Sequence, residues 1–184
     1  MSNPNLRLIS DILDAVAVED VDDSPRLTDE RLRAAIFAQA PLTAPERALI
    51  ARSPATRDRL AWLRHQARAN ALARWQAEAI EPEPLRLLAA ADQTPSVAPL
   101  RLTGAGHSVA LTPVDLEGRE WHVAVQIANA LIEATPAGFQ LVDSEGLIWL
   151  SGHPDADGII SGYWTGEEAL WSRLQRIHLR LLPR

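Results

Sequence analysis

The hydrophobic positions of this chain follow two different periods. From Leu6 to Ile80 apolar residues recur every three or four places, the spacing that lines one face of a helix. From Leu100 onward they alternate with polar residues, as in strands with one buried face. Residues 5–19 bring Leu6, Ile9, Ile12, Leu13 and Val16 to one side and predict a short amphipathic helix, followed by an acidic linker, EDVDDSP. A second helix is expected from Thr28 or Asp29 through Gln39, with Leu32, Ala35, Ile36 and Ala40 inward and Pro41 as its stop. Thr43 and Glu46 have the spacing of a capping box, with Pro45 in the first turn. Ser53-Pro54 is a further start signal. From there to Ile80 neither Gly nor a further Pro interrupts a run dominated by Ala, Leu, Arg and Gln, all good helix formers.

The long helix carries two apolar stripes. At about 100° per residue, Leu60, Leu63, Ala67, Ala71 and Trp75 share one face. Trp62, Ala69, Ala73 and Ile80 gather on nearly the opposite one. A surface helix needs a single buried stripe, so two stripes imply contact on two sides. Either the rest of the chain or another protein covers the second side, and the pattern leaves both open.

The stretch PERALIARSPATRDRLAWLR resembles the N-terminal domain of anti-sigma factors of the zinc-binding or zinc-less type. In that family a Glu-Arg helix leads through a Cys-Pro-x-Cys turn into a long helix with Leu-x-x-Leu spacing. Glu46-Arg47, Ser53-Pro54-Ala55-Thr56 and Leu60/Leu63 stand at the matching places. Ser53 and Thr56 replace the thiolates and the upstream His is absent, so no zinc site carries over. The resemblance covers about a quarter of the chain and implies sequestration of a sigma factor by the long helix. Arg59, Trp62, Leu63 and Ala69 are the partner-binding candidates. Trp62 beside Arg59 has interface character, because Trp and Arg are enriched at binding hot spots, although core packing is the default for each of the six Trp.

At Glu81 the character changes. EPEPLRLLAAADQTPSVAP holds four prolines and reads as a semi-extended spacer with one helical turn around Leu85–Ala91. Strands are expected at Leu100–Leu102, Val109–Leu111, Glu120–Ile127, Ala130–Ala134, Phe139–Val142, Leu147–Leu150, Gly158–Trp164 and Arg176–Leu182, with a helical turn at GEEALW. Turn-rich segments separate them, among them Asp143-Ser-Glu-Gly146 and Asp155-Ala-Asp157-Gly158. The repeated D-x-x-G turns resemble those of transthyretin-like or carboxypeptidase-regulatory β-sandwiches, modules that bind or brace other proteins. The expected fold class is α+β: a helical bundle in residues 1–80, a Pro-rich linker in 81–98, and a small antiparallel β-sandwich or barrel in 99–184.

Charge is unevenly spread along the 184 residues. Residues 1–30 hold two Arg against eight acids, 31–80 nine Arg against three, and 81–184 seven Arg against thirteen, so a basic middle lies between acidic ends. All 18 basic residues are Arg, as a GC-rich codon bias would produce. A pI near 5.3 and the lack of a recognised DNA-binding motif argue against a nucleic-acid partner and for internal pairing or an acidic protein. With no Cys, disulfides and thiolate metal sites are excluded. No signal-peptide pattern follows Met1 and no apolar run approaches the roughly 20 residues of a membrane span, so a cytoplasmic protein without a membrane partner is expected.

Local chemistry is sparse. His153, Asp155, Asp157 and Gly158 invite comparison with a calcium loop, but two ligand positions are missing and a hairpin turn explains Asp157-Gly158 better. The five His show no i, i+4 pair, and P-loop, Gly-x-Gly-x-x-Gly and Gly-x-Ser-x-Gly patterns are absent. The expectation is therefore a non-enzymatic regulator without metal or cofactor, acting on another protein such as a sigma factor. The alternative is an adaptor or assembly subunit whose β domain docks a protein, with the long helix serving internal packing.

Overall fold

The computed structural model describes residues 27–87, 98–115, 117, 119–165 and 168–184. The expected first helix, the acidic linker and most of the Pro-rich stretch lie outside them. The architecture is mixed α+β, with five helices and two four-stranded antiparallel sheets among the described residues. In chain order these are α1 (Asp29–Ile36), α2 (Ala44–Arg52), α3 (Pro54–Ala77), β1 (Leu85–Arg86), β2 (Leu100–Gly104), β3 (His107–Pro113) and β4 (Glu120–Ile127). Then follow α4 (Asn129–Ala134), β5 (Phe139–Asp143), β6 (Ile148–Gly152), β7 (Ile159–Thr165), α5 (Leu170–Arg176) and β8 (His178–Pro183).

Each of the first three helices starts where a side chain satisfies its orphan N–H groups. Thr28 Oγ1 accepts from Arg31 N at 3.2 Å, and Ser53 Oγ accepts from Thr56 N at 3.2 Å. At α2 the capping box is reciprocal: Glu46 N donates to Thr43 Oγ1, and Thr43 N donates to Glu46 Oε2 at 2.7 Å. Arg31 then joins α1 to α2. Its guanidinium meets both Glu46 carboxylate oxygens at 2.6 Å and donates to Ala40 O and Pro41 O, stitching the turn between the helices. Leu32, Ile36, Leu60 and Leu63 bury one another at the centre of this unit.

Two helix ends fall earlier than the sequence pattern suggests. The first helix stops at Ile36 instead of Gln39 and the long one at Ala77 instead of Ile80. In both, an alanine takes the left-handed conformation that usually falls to glycine: Ala38 has φ 54° and Ala79 has φ 52°. The next residue folds back, Gln39 N to Ala34 O at 2.9 Å and Ile80 N to Trp75 O at 2.8 Å, so carbonyls of the last turn are satisfied. With no glycine to mark the stop, the ends are hard to see in the sequence.

The sheets run in the orders β1-β8-β5-β6 and β2-β3-β4-β7, and among the described residues no closed barrel forms. Their inner faces meet in one core that includes Leu102, Val109, Val123 and Val125 from one sheet and Phe139, Leu141, Leu179 and Leu181 from the other. Strand β4 shows the alternation expected: Trp121, Val123, Val125 and Ile127 are buried and Gln126 is exposed. At the seam between the sheets the rings of Trp149 and Trp164 lie 5.8 Å apart.

Three expected elements take another form. Residues 130–134 are helical, not a strand, because Ala128 and its neighbours open a one-turn helix with Ile132 N bonded to Ala128 O. Leu85 and Arg86 do not make a helical turn; they form a strand paired with Leu179 and His178, and Leu85 sinks into the core. The helix before the last strand runs over Leu170–Arg176, later than GEEALW, so β8 begins at His178.

Two of the Asp-x-x-Gly turns, at Asp143 and Asp155, adopt the same local geometry. In each the Asp Oδ1 accepts from backbone N–H groups two and four residues on, and Gly146 and Gly158 take φ of 88° and 76°. Asp143 does more. Its buried Oδ2 accepts from Trp149 Nε1 at 2.9 Å and from Arg173 Nε and a second Arg173 nitrogen at 2.9 and 2.6 Å, which ties α5 to the β5–β6 hairpin. Burial alone would raise this carboxyl's pKa. The Trp149, Arg173 and Leu147 donors outweigh it and hold the group below its ordinary value.

Two predictions follow from this architecture. The Arg31 and Thr43 donors hold Glu46 down to a pKa of about 2, from 4.5. A depressed folded-state pKa gives stability that is complete above the unfolded value and lost as pH falls through the folded one. Urea midpoints should therefore drop between about pH 4.5 and about 2, and Glu46→Gln should flatten that slope; an unchanged slope would show that the Arg31 contact does not form. Replacing Ala79 or Ala38 by Gly should raise thermal stability, each by up to about 1 kcal/mol, because relief of left-handed strain exceeds the entropy glycine adds to the unfolded chain. A lower melting temperature in both variants would contradict the helix ends described above.

Candidate partner-binding face

Helix α3 has no Gly and no internal Pro over its 24 residues, so it is a rigid rod whose rotation decides which side chains are free. That rotation is set at both ends. Near the start, Leu60 and Leu63 pack against Leu32 and Ile36 of α1. Near the finish, Trp75 enters the β-domain core, and its Nε1 donates to the buried Thr135 Oγ1 at 2.8 Å. Between them Ala71 is buried and Ala67 half-buried, so the first predicted stripe faces inward along its whole length.

The second stripe remains outside. Trp62 is 47% exposed, and Ala69 and Ala73 are exposed as well, so the β domain does not cover them. Only Ile80, beyond the helix end, packs partly against the core. The four candidate residues consequently divide. Arg59, Trp62 and Ala69 lie on the surface, whereas Leu63 is 3% exposed and belongs to the helical core. A partner could reach Leu63 only by opening the packing against α1.

Trp62 is not a loose surface ring. The Arg59 guanidinium carbon lies 4.3 Å from its ring centroid, within cation–π range. Arg59 is itself pinned by a two-point contact with the Asp29 carboxylate in the first turn of α1. This hydrogen-bonded pairing holds the Asp29 carboxyl below its ordinary pKa and raises that of Arg59. The result is an ordered Asp29–Arg59–Trp62 stack flanked by a strip of small side chains. The Asp29 contribution was missed in the sequence because it lies 30 residues from Arg59 and makes its contact through the folding of α1 onto α3.

Other candidate chemistry has local explanations. Asp155 serves its own turn, as above, and His153 Nε2 donates to Ile36 O at 2.9 Å, bridging the β6–β7 connection to α1. Desolvation, with the nearby Arg184 charge, lowers the His153 pKa. His107 is buried at the start of β3 and desolvation lowers its pKa too. His122 stacks edge-on to Tyr163 at 5.4 Å. Among the described residues no group of three His, Asp or Glu side chains is placed to hold a metal ion, and no helix is long and apolar enough to cross a membrane. No protein-family model matches the chain, and no curated protein or solved structure is significantly similar to it.

Proposed function

We propose that this chain is a non-enzymatic regulator that binds another protein through the outer face of α3, in the manner of an anti-sigma factor sequestering a sigma factor. The observation that carries the reading is Trp62, a half-exposed aromatic side chain beneath an anchored guanidinium on a face that no other described element covers. A preorganised Trp–Arg pair loses little conformational freedom on binding, which is what a hot spot requires. Ala69 and Ala73, one face and two to three turns further on, let a partner helix approach closely. Helix α3 carries five Arg against one Asp, so the complementary surface is acidic. The helical bundle then acts as the clamp, and the β-sandwich serves to brace it or to receive a signal.

A second reading, an adaptor that docks through its β domain, has one observation in its favour. Leu147 and Ile148 stand 44% and 51% exposed at the start of β6, an edge strand of its sheet. The two readings separate by mutation. Tagged wild-type protein purified from its native cell should retain a stoichiometric partner, expected to be a sigma factor. Trp62→Ala should weaken that complex about thirtyfold or more, the scale of a hot-spot residue, and Ala69→Glu should abolish it by steric and charge blockage. Ile148→Asp should leave it intact. Leu63→Ala is the folding control: it should lower the melting temperature by removing core volume. Retention of the partner by Trp62→Ala and its loss in Ile148→Asp would reverse the assignment in favour of the adaptor.

A further inference from the structure

Where the three helices meet the β domain, a cleft of about 240 Å3 opens between α1, the α1–α2 turn, α3 and the C-terminal end of β8. Its floor is apolar: Ala35, Ile36, Pro41, Leu42, Leu60 and Ala137. Among the described residues its charged lining side chains are Arg47, Arg64 and Arg184. They come from three separate parts of the sequence, so no local motif announces them.

Six other arginines of the described residues are ion-paired. Arg31 holds Glu46, Arg59 holds Asp29, and Arg173 and Arg176 share Asp143, Glu145 and Glu168. The three cleft arginines make no ion pair with any described residue. Arg47 gives one nitrogen to Leu42 O at 2.5 Å, which positions its guanidinium at the cleft wall and leaves its other donors free. Arg64 and Arg184 are close enough to repel, and partial desolvation together with the Arg184 charge lowers the Arg64 pKa. The backbone of Arg184 is fixed at the cleft by its N–H bond to Gly138 O at 2.9 Å. Guanidinium groups gathered over an apolar floor, with no acidic side chain among the described lining residues, form a receptor for an oxyanion that carries an apolar group. A volume below the roughly 300–1,000 Å3 of drug-sized sites sets the ligand's scale as small.

We infer that this cleft binds a small amphipathic anion, a carboxylate or phosphate ester whose oxygens are shared by Arg47, Arg64 and Arg184 and whose apolar part rests on Ile36, Leu42 and Leu60. The inference is independent of the partner-binding reading, because the cleft uses the inward edge of α3 and none of Arg59, Trp62 or Ala69 lines it.

The test uses the full-length chain and hexanoate as the probe, with hexanol and inorganic phosphate as the apolar-only and anion-only arms. Binding is followed by NMR through the arginine Nε–Hε signals and the methyl groups of Ile36, Leu42 and Leu60. Hexanoate should move both sets of signals saturably and together. Hexanol should shift methyl signals alone, and phosphate should shift arginine signals with weaker affinity. Arg64→Gln and Arg184→Gln should each reduce hexanoate affinity about tenfold, the scale of one charge-assisted contact, while Arg119→Gln, in the β3–β4 connection, should not change it. Arg64→Lys, which keeps the charge and the fold, should lose less than Arg64→Gln. Absence of a saturable hexanoate shift, or equal affinity in the wild type and in both Gln variants, would overturn the inference. Saturation by phosphate with affinity equal to hexanoate would overturn the apolar half of it.

Discussion

Trp75 is the residue through which the long helix becomes part of the β domain. Its ring is buried among strand residues, and burying it requires an acceptor for the indole N–H, which Thr135 supplies after α4. Once this contact and the Leu60/Leu63 packing on α1 are both made, a rigid 24-residue helix has no rotational choice left. Trp62 lies thirteen residues earlier, about 140° away around the helix at 100° per residue, so the same contact that buries one tryptophan turns the other outward. The proposed binding face is therefore a consequence of how the two halves dock. Ala137, which joins the helical core from the β side, and His153, bonded to Ile36 O, reinforce that docking.

The electrostatics follow from an all-Arg basic set. Guanidinium groups can donate twice to a carboxylate, and this chain uses that capacity at three junctions: α1 to α2 through Arg31 and Glu46, α1 to α3 through Arg59 and Asp29, α5 to the β5–β6 hairpin through Arg173 and Asp143. The first two are accessible to solvent and add geometry more than energy. The third has a fully buried carboxylate, which makes its donors indispensable, since a buried charge deprived of its partner costs about 3–5 kcal/mol. The cleft trio of Arg47, Arg64 and Arg184 differs from these three junctions in having no acidic side chain among the described lining residues.

What could be read from the sequence was local. The capping hydroxyls of Thr28, Thr43 and Ser53, the inward stripe of α3, the alternation of β4 and the Asp-x-x-Gly turns at Asp143 and Asp155 each depend on residues within a few positions of one another. Errors arose where local signals are ambiguous. A short run such as Ala130–Ala134 has no length to separate a helical from an extended period, and Leu85–Arg86 becomes a strand only because β8 offers it an edge. The ends of α1 and α3 were misplaced because alanine occupies positions where glycine would have marked the stop.

The candidate site divides along the same line. That α3 has two apolar stripes, one of them holding Trp62 and Ala69, was determined by sequence periodicity alone. Which stripe is buried, that Leu63 belongs to the core, that Asp29 anchors Arg59, and that Arg47, Arg64 and Arg184 line one cleft were decided only by tertiary structure. Capping and periodicity act over one or two helical turns and are written in neighbouring residues. Docking joins residues separated by 30 to 117 positions, and its outcome depends on shape complementarity between two units, which no linear pattern encodes.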